Sequence, residues 1–220
     1  MEYKSEKIYK YFNAMGIEIF WYKRSKKISN SNHVSNIEYL NSQVMNCKKC
    51  ILHKERLNTV FGDGSEKANI MIIGEAPGRD EDKTGKPFVG RAGKLLTEIF
   101  KSIGIQRSDV YITNTVKCRP PDNRNPKKEE VDSCSNYLDQ QIEFINPDLI
   151  ILLGKVAADR LLNLDLPMSE LRQKTFYYKT SKIPILVFYH PAYLLRSPSE
   201  KYKVWEDLNY LKEVYKLNVS

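Results

Sequence analysis

Four short apolar runs, each followed by a loop and then by a helical pattern, constrain the fold of this 220-residue chain most strongly. The runs are Ile70–Ile73, Val110–Ile112, Leu149–Leu153 and Ile185–Phe188. Leu149–Leu153 is apolar throughout, which is typical of a central strand that is covered on both faces. Strands that alternate with helices predict an α/β fold, a three-layer sandwich around a mainly parallel sheet.

Helical periodicity separates these runs. Over residues 91–103 the apolar positions recur every three or four residues, which predicts a helix that Gly104 ends. The pair Asn125-Pro126 predicts the start of a helix that reaches about residue 145, because proline suits the first helical position. Further helices are expected over residues 156–162 and from about residue 200. In such folds the active site lies in loops at the carboxyl ends of the strands.

The N-terminal 40 residues read as an extension, and residues 41–220 as the catalytic domain. Residues 1–27 are expected to form an amphipathic helix, and the polar tract Ser29–Asn36 a linker. The first residues lack the apolar core of a secretory signal, and no window approaches 18 consecutive apolar residues. The expected protein is an intracellular monomer without a membrane partner, cytoplasmic or nucleoid-associated, or nuclear or in a viral factory if the source is eukaryotic or viral.

The charge of the chain favours a polyanionic partner. Lys and Arg number 35 against 27 Asp and Glu, for a net charge of +8. Most of the excess lies in residues 79–128, where 12 basic residues face 6 acidic ones. A basic face of this kind is a typical footprint for a nucleic acid, although a solvated surface has the same composition.

The four cysteines have the spacing C-x2-C-x67-C-x15-C. Cysteines of an intracellular chain are more often metal ligands, catalytic or inert than paired in disulfides. Zinc and an iron–sulfur cluster both accept four thiolates. Zinc ribbons usually present two C-x-x-C pairs, which is not the pattern here. Four unrelated buried cysteines remain the structural alternative.

Polar and aromatic residues lie in four loop segments, most of which follow a predicted strand. The segments are Gly74-Glu-Ala-Pro-Gly78, Lys86-Pro-Phe-Val-Gly90, Thr113-Asn-Thr-Val-Lys-Cys-Arg-Pro-Pro121 and Tyr189-His-Pro-Ala-Tyr-Leu-Leu-Arg196. They supply an acid, an aromatic ring, an amide and an imidazole. Side chains of these types on neighbouring loops are suited to binding, and to chemistry on, a planar polar ligand.

Together with the cysteine spacing, these motifs resemble the family 4 uracil-DNA glycosylases, the iron–sulfur branch of that superfamily. The resemblance covers roughly residues 41–215. It implies a four-stranded parallel sheet with flanking helices, and a DNA-repair enzyme that removes uracil from single- or double-stranded DNA and leaves an abasic site. It also implies a 4Fe–4S cluster on the four cysteines, Cys47, Cys50, Cys118 and Cys134.

The resemblance also implies roles for single residues. Phe88 would stack on the uracil ring, and the Asn114 amide would accept from N3–H and donate to O4. His190 would donate to O2, where the charge of the leaving base gathers. Glu81 and Asn123 are candidates to hold that amide in one orientation.

The loop after the first strand departs from the better-known uracil glycosylases. Glu75 and Ala76 would both line the uracil site. Where this chain has Ala76, one position after Glu75, those enzymes carry an aspartate. Glu75 is therefore the candidate to activate water or to act through its charge. The missing aspartate predicts a slower enzyme that depends more on stabilising the leaving group.

DNA is expected to be held through phosphates, while apolar residues fill the gap left by a flipped base. The candidate contacts are Arg91, Lys117, Arg119, Arg124, Arg196 and, for the gap, Leu194 and Leu195.

Two other functions stay open on the sequence. Four cysteines and a basic face also suit a non-catalytic, zinc-stabilised nucleic-acid-binding module. A damaged-base binder on the same fold is the second alternative. Nucleotide hydrolysis is disfavoured, because Gly154-Lys155 lacks the rest of a phosphate-binding loop.

Overall fold

A six-stranded sheet forms the centre of the protein in the computed structural model, which describes residues 33–215. The strands are β1 (Asp63–Gly64), β2 (Ile70–Gly74), β3 (Val110–Asn114), β4 (Leu149–Leu153), β5 (Phe176–Tyr178) and β6 (Ile183–Phe188). Their order is β1-β3-β2-β4-β6-β5. Strands β3, β2, β4 and β6 are parallel, whereas β1 and β5 pair antiparallel at the two edges. The predicted parallel sheet is confirmed, and two short edge strands extend it.

Helices cover both faces of the sheet. They are α1 (His33–Met45), α2 (Arg79–Thr84), α3 (Arg91–Lys101), α4 (Lys128–Ile145), α5 (Lys155–Leu162), α6 (Met168–Leu171), α7 (Pro191–Arg196) and α8 (Lys201–Tyr215). Short 3₁₀ turns lie at Ile51–Lys54, Arg107–Asp109, Pro121–Asn123, Lys179–Ser181 and Pro198–Glu200. Within residues 33–215 no helix is long and apolar enough to cross a bilayer.

The apolar side chains form one core on each side of the sheet. Met71, Ile73 and Leu152 point towards α1, α4 and α5. Ile72 and Ile151 point the other way, towards α3, α7 and α8. This alternation follows from the period of two along a strand, and it explains why β4 is apolar throughout. The predicted three-layer sandwich is confirmed.

Helix α4 begins at Lys128, later than the Asn125-Pro126 pair predicts. The cause is Glu130, whose carboxylate accepts a 2.7 Å hydrogen bond from the Lys127 backbone N–H and forms an ion pair with Arg124. An acidic side chain that satisfies the free backbone N–H groups fixes the start of a helix.

Helix α1 lies across the predicted domain boundary at residue 40. Its residues Ile37, Leu40 and Val44 are buried in the core, so the compact unit begins before residue 41. The end of the predicted linker, from residue 33 to Asn36, belongs to this helix rather than to a linker. The helix predicted over residues 1–27 lies outside the described part of the chain.

Candidate active site and cysteine cavity

The carboxyl ends of β2 and β3 bring the first site residues together. Gly74 pairs with Asn114 in the sheet register. A Cβ atom on Gly74 would lie 2.5 Å from both Asn114 Oδ1 and Phe88 Cζ. Only glycine allows the amide and the ring to approach the backbone this closely.

Phe88 is held in an unusual backbone conformation. Its φ is 52°, in the left-handed region, although it is not a glycine. Arg107 donates to the carbonyl oxygens of Pro87 (2.7 Å) and Phe88 (3.1 Å), and Gly93 packs directly beneath the Phe88 carbonyl. A conformation of this kind persists only where its surroundings hold it, and it is often found at functional sites.

Glu81 connects the two loops that carry Glu75 and Phe88. Its Oε1 accepts from the backbone N–H groups of Val89 and Gly90, both at 2.9 Å, and its Oε2 accepts from Gly78 at 3.1 Å. Glu81 therefore fixes the loops. It does not contact the Asn114 amide, so the prediction that it orients this amide is wrong.

Asn114 is buried with a free amide. It is 1% exposed, and neither Oδ1 nor Nδ2 has a hydrogen-bond partner within the described residues. Leaving a buried amide unsatisfied costs about 1–3 kcal/mol per group. A polar ligand bound next to Asn114 would supply the missing hydrogen-bond partners of this amide.

His190 lies next to Phe88, with ring centroids 5.6 Å apart and planes inclined at 36°. Its Nδ1 accepts a 3.1 Å hydrogen bond from the Ala192 backbone N–H at the start of α7. Burial, together with the nearby positive charge of Arg196, lowers the pKa of His190 to about 4. The ring is therefore neutral at pH 7, with its proton on Nε2.

Glu75 follows Gly74 directly, and its backbone carbonyl accepts a 2.6 Å hydrogen bond from Thr115 Oγ1. Burial raises the pKa of the Glu75 carboxyl. Ala76 packs against the core and brings no polar group to the loop. The structure thus brings Glu75, Phe88 and Asn114 together with His190 at one edge of the sheet.

The structure places two predicted site residues elsewhere. Asn123 is exposed, and its Oδ1 accepts from Arg119 Nε at 2.8 Å, so it does not hold the Asn114 amide. Lys117, predicted to contact DNA, is 1% exposed. Its ammonium donates to Thr113 Oγ1 and to the Asn114 carbonyl oxygen, both at 2.7 Å. Lys117 therefore supports the site from beneath.

The remaining DNA-contact candidates divide by exposure. Leu194 is 1% exposed and packs in the core, so it does not fill the gap left by a flipped base. Leu195 is half-buried. Arg91 and Arg196 are exposed, while the half-buried residues Arg119 and Arg124 have side-chain partners in Asn123 and Glu130.

All four cysteines line one cavity. Cys47 and Cys50 precede the 3₁₀ turn at residues 51–54, Cys118 follows β3, and Cys134 lies on α4. Burial raises the pKa of Cys118 to about 11 and also raises those of Cys50 and Cys134. Without a metal these three are thiols, so ligation would release protons.

Cations surround the cysteine cavity. Arg56 donates to Cys118 Sγ at 3.0 Å, and Lys49 and Lys117 also line the cavity. No group of three His, Cys, Asp or Glu residues in the described part of the chain is arranged to hold a single metal ion. A cluster bound by the four cysteines would bring negative charge next to these cations.

Sequence reasoning missed Arg107 and the supporting role of Lys117. Arg107 lies in an ordinary polar turn, and no signal there indicates that its guanidinium reaches the Phe88 loop. For Lys117, the clue available was its position next to Cys118 in a segment that follows a buried strand.

Comparison with known proteins shows the family of the chain. Residues 61–209 match the model of the uracil DNA glycosylase superfamily. The chain is 48% identical over 178 residues to the type-4 uracil-DNA glycosylase of Archaeoglobus fulgidus, covering 78% of this chain and 89% of that enzyme. The chain is 44% identical over 183 residues to the type-4 uracil-DNA glycosylase of Thermotoga maritima, covering 82% of this chain and 95% of that enzyme. A type-5 uracil-DNA glycosylase of Pyrobaculum aerophilum is 34% identical over 116 residues, covering 46% and 51%.

Proposed function

Because the chain belongs to the uracil-DNA glycosylase superfamily, we propose that it is a DNA-repair hydrolase that removes uracil from DNA and leaves an abasic site. The observation that carries this proposal is the buried, unpartnered amide of Asn114 beside the rings of Phe88 and His190. A base inside a duplex cannot reach such a site, so the nucleotide must be flipped out of the stack. The partner is uracil-containing DNA, and the protein acts as a monomer.

Asn114 selects the base. Its Oδ1 accepts from uracil N3–H, and its Nδ2 donates to O4. Cytosine presents a donor and an acceptor in the reverse order, so it would leave both amide groups unsatisfied. Phe88 stacks on the ring and supplies affinity that does not depend on base identity.

His190 stabilises the leaving group. Uracil departs with its negative charge gathered at O2, and a donor aimed at that atom lowers the barrier. The hydrogen bond from Ala192 leaves the proton of the neutral ring on Nε2, which is the free nitrogen. His190 is therefore a neutral hydrogen-bond donor rather than a general acid.

Glu75 acts on the sugar side. When the bond breaks, the sugar carries positive charge, as in other glycoside cleavages. The ionised Glu75 carboxylate stabilises that charge and orients the attacking water. With alanine at position 76, no second carboxylate follows it, so more of the rate enhancement comes from His190.

Exposed arginines near the site bind the phosphates of the DNA. Arg91 begins α3 and Arg196 ends α7, and both are exposed. Arg119 is half-buried, and Leu195 on α7 is the apolar side chain that remains available to enter the gap in the stack.

The cysteine cavity fits a 4Fe–4S cluster, which we infer is held by Cys47, Cys50, Cys118 and Cys134. When bound, the cluster supplies a cross-link between three segments of the chain that are distant in sequence. Arg56 donates to Cys118 Sγ and Lys117 lines the same cavity, so positive charge is present there to balance the negative charge of a cluster.

Incubation with a uracil-containing oligonucleotide, followed by alkaline cleavage, tests the function. We expect strand cleavage at uracil on single- and double-stranded DNA, and brown protein with broad visible absorption. The variant His190→Ala should lower the single-turnover rate far more than the affinity for DNA. Cluster-loaded protein that cleaves neither substrate would refute the proposed activity, and equal losses of rate and affinity would make His190 a binding residue only.

A further inference from the structure

Lys117 is a buried cation between the active site and the cysteine cavity. On one side, its ammonium donates to Thr113 Oγ1 and to the Asn114 carbonyl oxygen, both at 2.7 Å. On the other, Lys117 lines the cavity that the four cysteines share, and it precedes Cys118 in the chain. The proposed chemistry of uracil removal makes no use of this charge.

The charge of Lys117 lacks a carboxylate partner. Its acceptors are a hydroxyl and a carbonyl, and none of the ion pairs within residues 33–215 includes it. A buried cation without a compensating anion is strongly unfavourable. Cys118 and Cys134 line the same cavity as Lys117, and they would bring negative charge to it when they bind a cluster as thiolates. Ligated cysteines therefore supply the charge that holds the ammonium in place.

The main chain of Asn114 depends on the same ammonium. Asn114 ends β3, and its side-chain amide has no hydrogen-bond partner within residues 33–215. Thr113 Oγ1, the second acceptor of Lys117, also donates to the Phe61 carbonyl at 2.7 Å, which ties this strand end to the core. Lys117 thus orders the strand end from which Asn114 reads the base.

We propose that Lys117 is a positioning residue that couples the iron–sulfur cluster to uracil recognition. The cluster thiolates hold the ammonium, and the ammonium holds the main chain of Asn114. The coupling must act in both directions, because linkage between two sites is reciprocal. This inference rests on the proposed function, since it requires that Asn114 bind uracil.

The variant Lys117→Met tests the coupling without any turnover. Methionine keeps a long unbranched side chain but removes the charge and its N–H donors. Fluorescence anisotropy gives the affinity for two oligonucleotides, one with a cleavage-resistant 2′-fluoro-deoxyuridine and one with the tetrahydrofuran abasic analogue. We expect the preference for the uracil oligonucleotide to fall about tenfold, as for the loss of a charge-assisted hydrogen bond, while tetrahydrofuran affinity is unchanged.

The same substitution in an Asn114→Ala background separates positioning from general stability. If Lys117 acts through Asn114, Lys117→Met causes no further loss of preference there. Equal losses of affinity for both oligonucleotides, or an equal loss of preference in the Asn114→Ala background, would overturn the proposal.

Lys49→Met is the matched control. Lys49 lines the same cavity, with its ammonium 4.5 Å from the centre of the Tyr137 ring, and forms no hydrogen bond with Asn114. The variant Lys49→Met should keep the uracil preference of the unmodified protein. If it lost as much preference as Lys117→Met, the charge of the cavity rather than the Lys117 contacts would be responsible, and the proposal would be wrong.

The visible circular dichroism of the cluster measures the reverse effect, that of uracil binding on the cluster. Binding of the uracil oligonucleotide, but not of the tetrahydrofuran one, should change the spectrum of the unmodified protein. Lys117→Met, loaded to the same iron content, should lose this change. A change of undiminished size in the variant would contradict the coupling.

A second variant covers the case in which Lys117→Met does not fold. Thr113→Val keeps the shape of the side chain and removes one acceptor of Lys117, so the uracil preference should fall by roughly threefold. An unchanged preference would overturn the role of Lys117. If the unmodified protein showed no preference for uracil at all, the proposed function itself would fail instead.

Discussion

Asn114 is the residue whose chemistry predicts the sharpest change of specificity. In a site this dry, an aspartic acid at position 114 would be protonated, because burial disfavours the charged form. Asn114→Asp would then offer a donor to cytosine N3 and an acceptor to its N4 amino group. We expect cytosine cleavage to appear and uracil cleavage to fall about 100-fold, measured as single-turnover rates on matched oligonucleotides.

The control for this change is Asn136→Asp, the same substitution on the exposed surface of α4. It should leave the ratio of uracil to cytosine cleavage unchanged. Uracil cleavage at the original rate by Asn114→Asp, with cytosine still refused, would mean that Asn114 does not read the base.

His190 predicts a characteristic pH dependence. Its pKa of about 4 in the folded protein lies below the value near 6.5 of an unfolded chain. The unfolded state therefore binds the proton first, so the contribution of this histidine to stability is complete above pH 6.5 and is lost as the pH falls towards 4. The free energy of unfolding of the unmodified protein, relative to that of His190→Asn, should therefore decrease as the pH falls from 6.5 to 4.

Nitrogen NMR of the imidazole gives an independent check of this histidine. The ring should be neutral, with its proton on Nε2, throughout the range from pH 5.5 to 8. A titration midpoint near 6.5 would show that His190 is solvated, and it would remove the argument for a neutral donor.

At the scale of elements, Glu81 connects the loop after β2 to the loop that carries Phe88. It accepts three backbone hydrogen bonds, from Gly78, Val89 and Gly90. Glu81→Gln replaces one accepting oxygen by an NH₂ group, so we expect a loss of about 1–3 kcal/mol in the free energy of unfolding. The affinity for the uracil oligonucleotide should fall as well, because Phe88 lies on one of these loops.

Urea unfolding measures the first effect, and Glu98→Gln on the exposed face of α3 is the comparison. That surface change should stay within about 0.5 kcal/mol. Glu81→Gln with the stability of Glu98→Gln and unchanged affinity would show that the loops hold their positions without Glu81.

Most of the elements could be predicted from the sequence, because their signals are local. Buried strands such as β4 appear as continuous apolar runs, and α3 as a regular periodicity. The edge strands could not be predicted, since two or three residues carry no alternation. Helix α4 starts late because of the Glu130 side chain, and Leu194 is buried because α7 packs on the sheet. Both depend on contacts that local patterns do not encode.

The site divides in the same way. Glu75, Asn114 and His190 could be found because each follows a predicted strand, and parallel strands end at one edge of a sheet. Phe88 follows helix α2 instead, and its role could be predicted only from the family resemblance. For Lys117 the position beside Cys118 was a clue to a role but not to burial, because its burial depends on how the loop after β3 folds back over the strand end.

At the scale of the whole molecule, the net charge of +8 predicts DNA binding that weakens steeply with salt. Each phosphate contact contributes a slope of about −0.9 in a plot of log K against log salt concentration. Arg91→Ser and Arg196→Ser should each reduce the slope by about 0.9. Anisotropy titrations at several salt concentrations measure this.

Lys117→Met is the internal comparison for the salt series, because a buried ammonium reaches no phosphate. Its slope should equal that of the unmodified protein. A slope reduced as much as that of Arg91→Ser would mean that Lys117 contacts DNA. Slopes that neither arginine substitution changes would mean that Arg91 and Arg196 do not contact phosphates.

The wide separation of the four cysteines along the chain imposes an order on biosynthesis. Cys47 and Cys50 leave the ribosome well before Cys118 and Cys134, and two thiols alone complete no four-cysteine site. Cys118 reaches the cavity only after β3 has paired with β2, and Cys134 only after α4 has packed on the sheet. Loading of the proposed cluster would therefore follow assembly of this half of the domain, and protein made without iron is expected to have these strands and helices already packed.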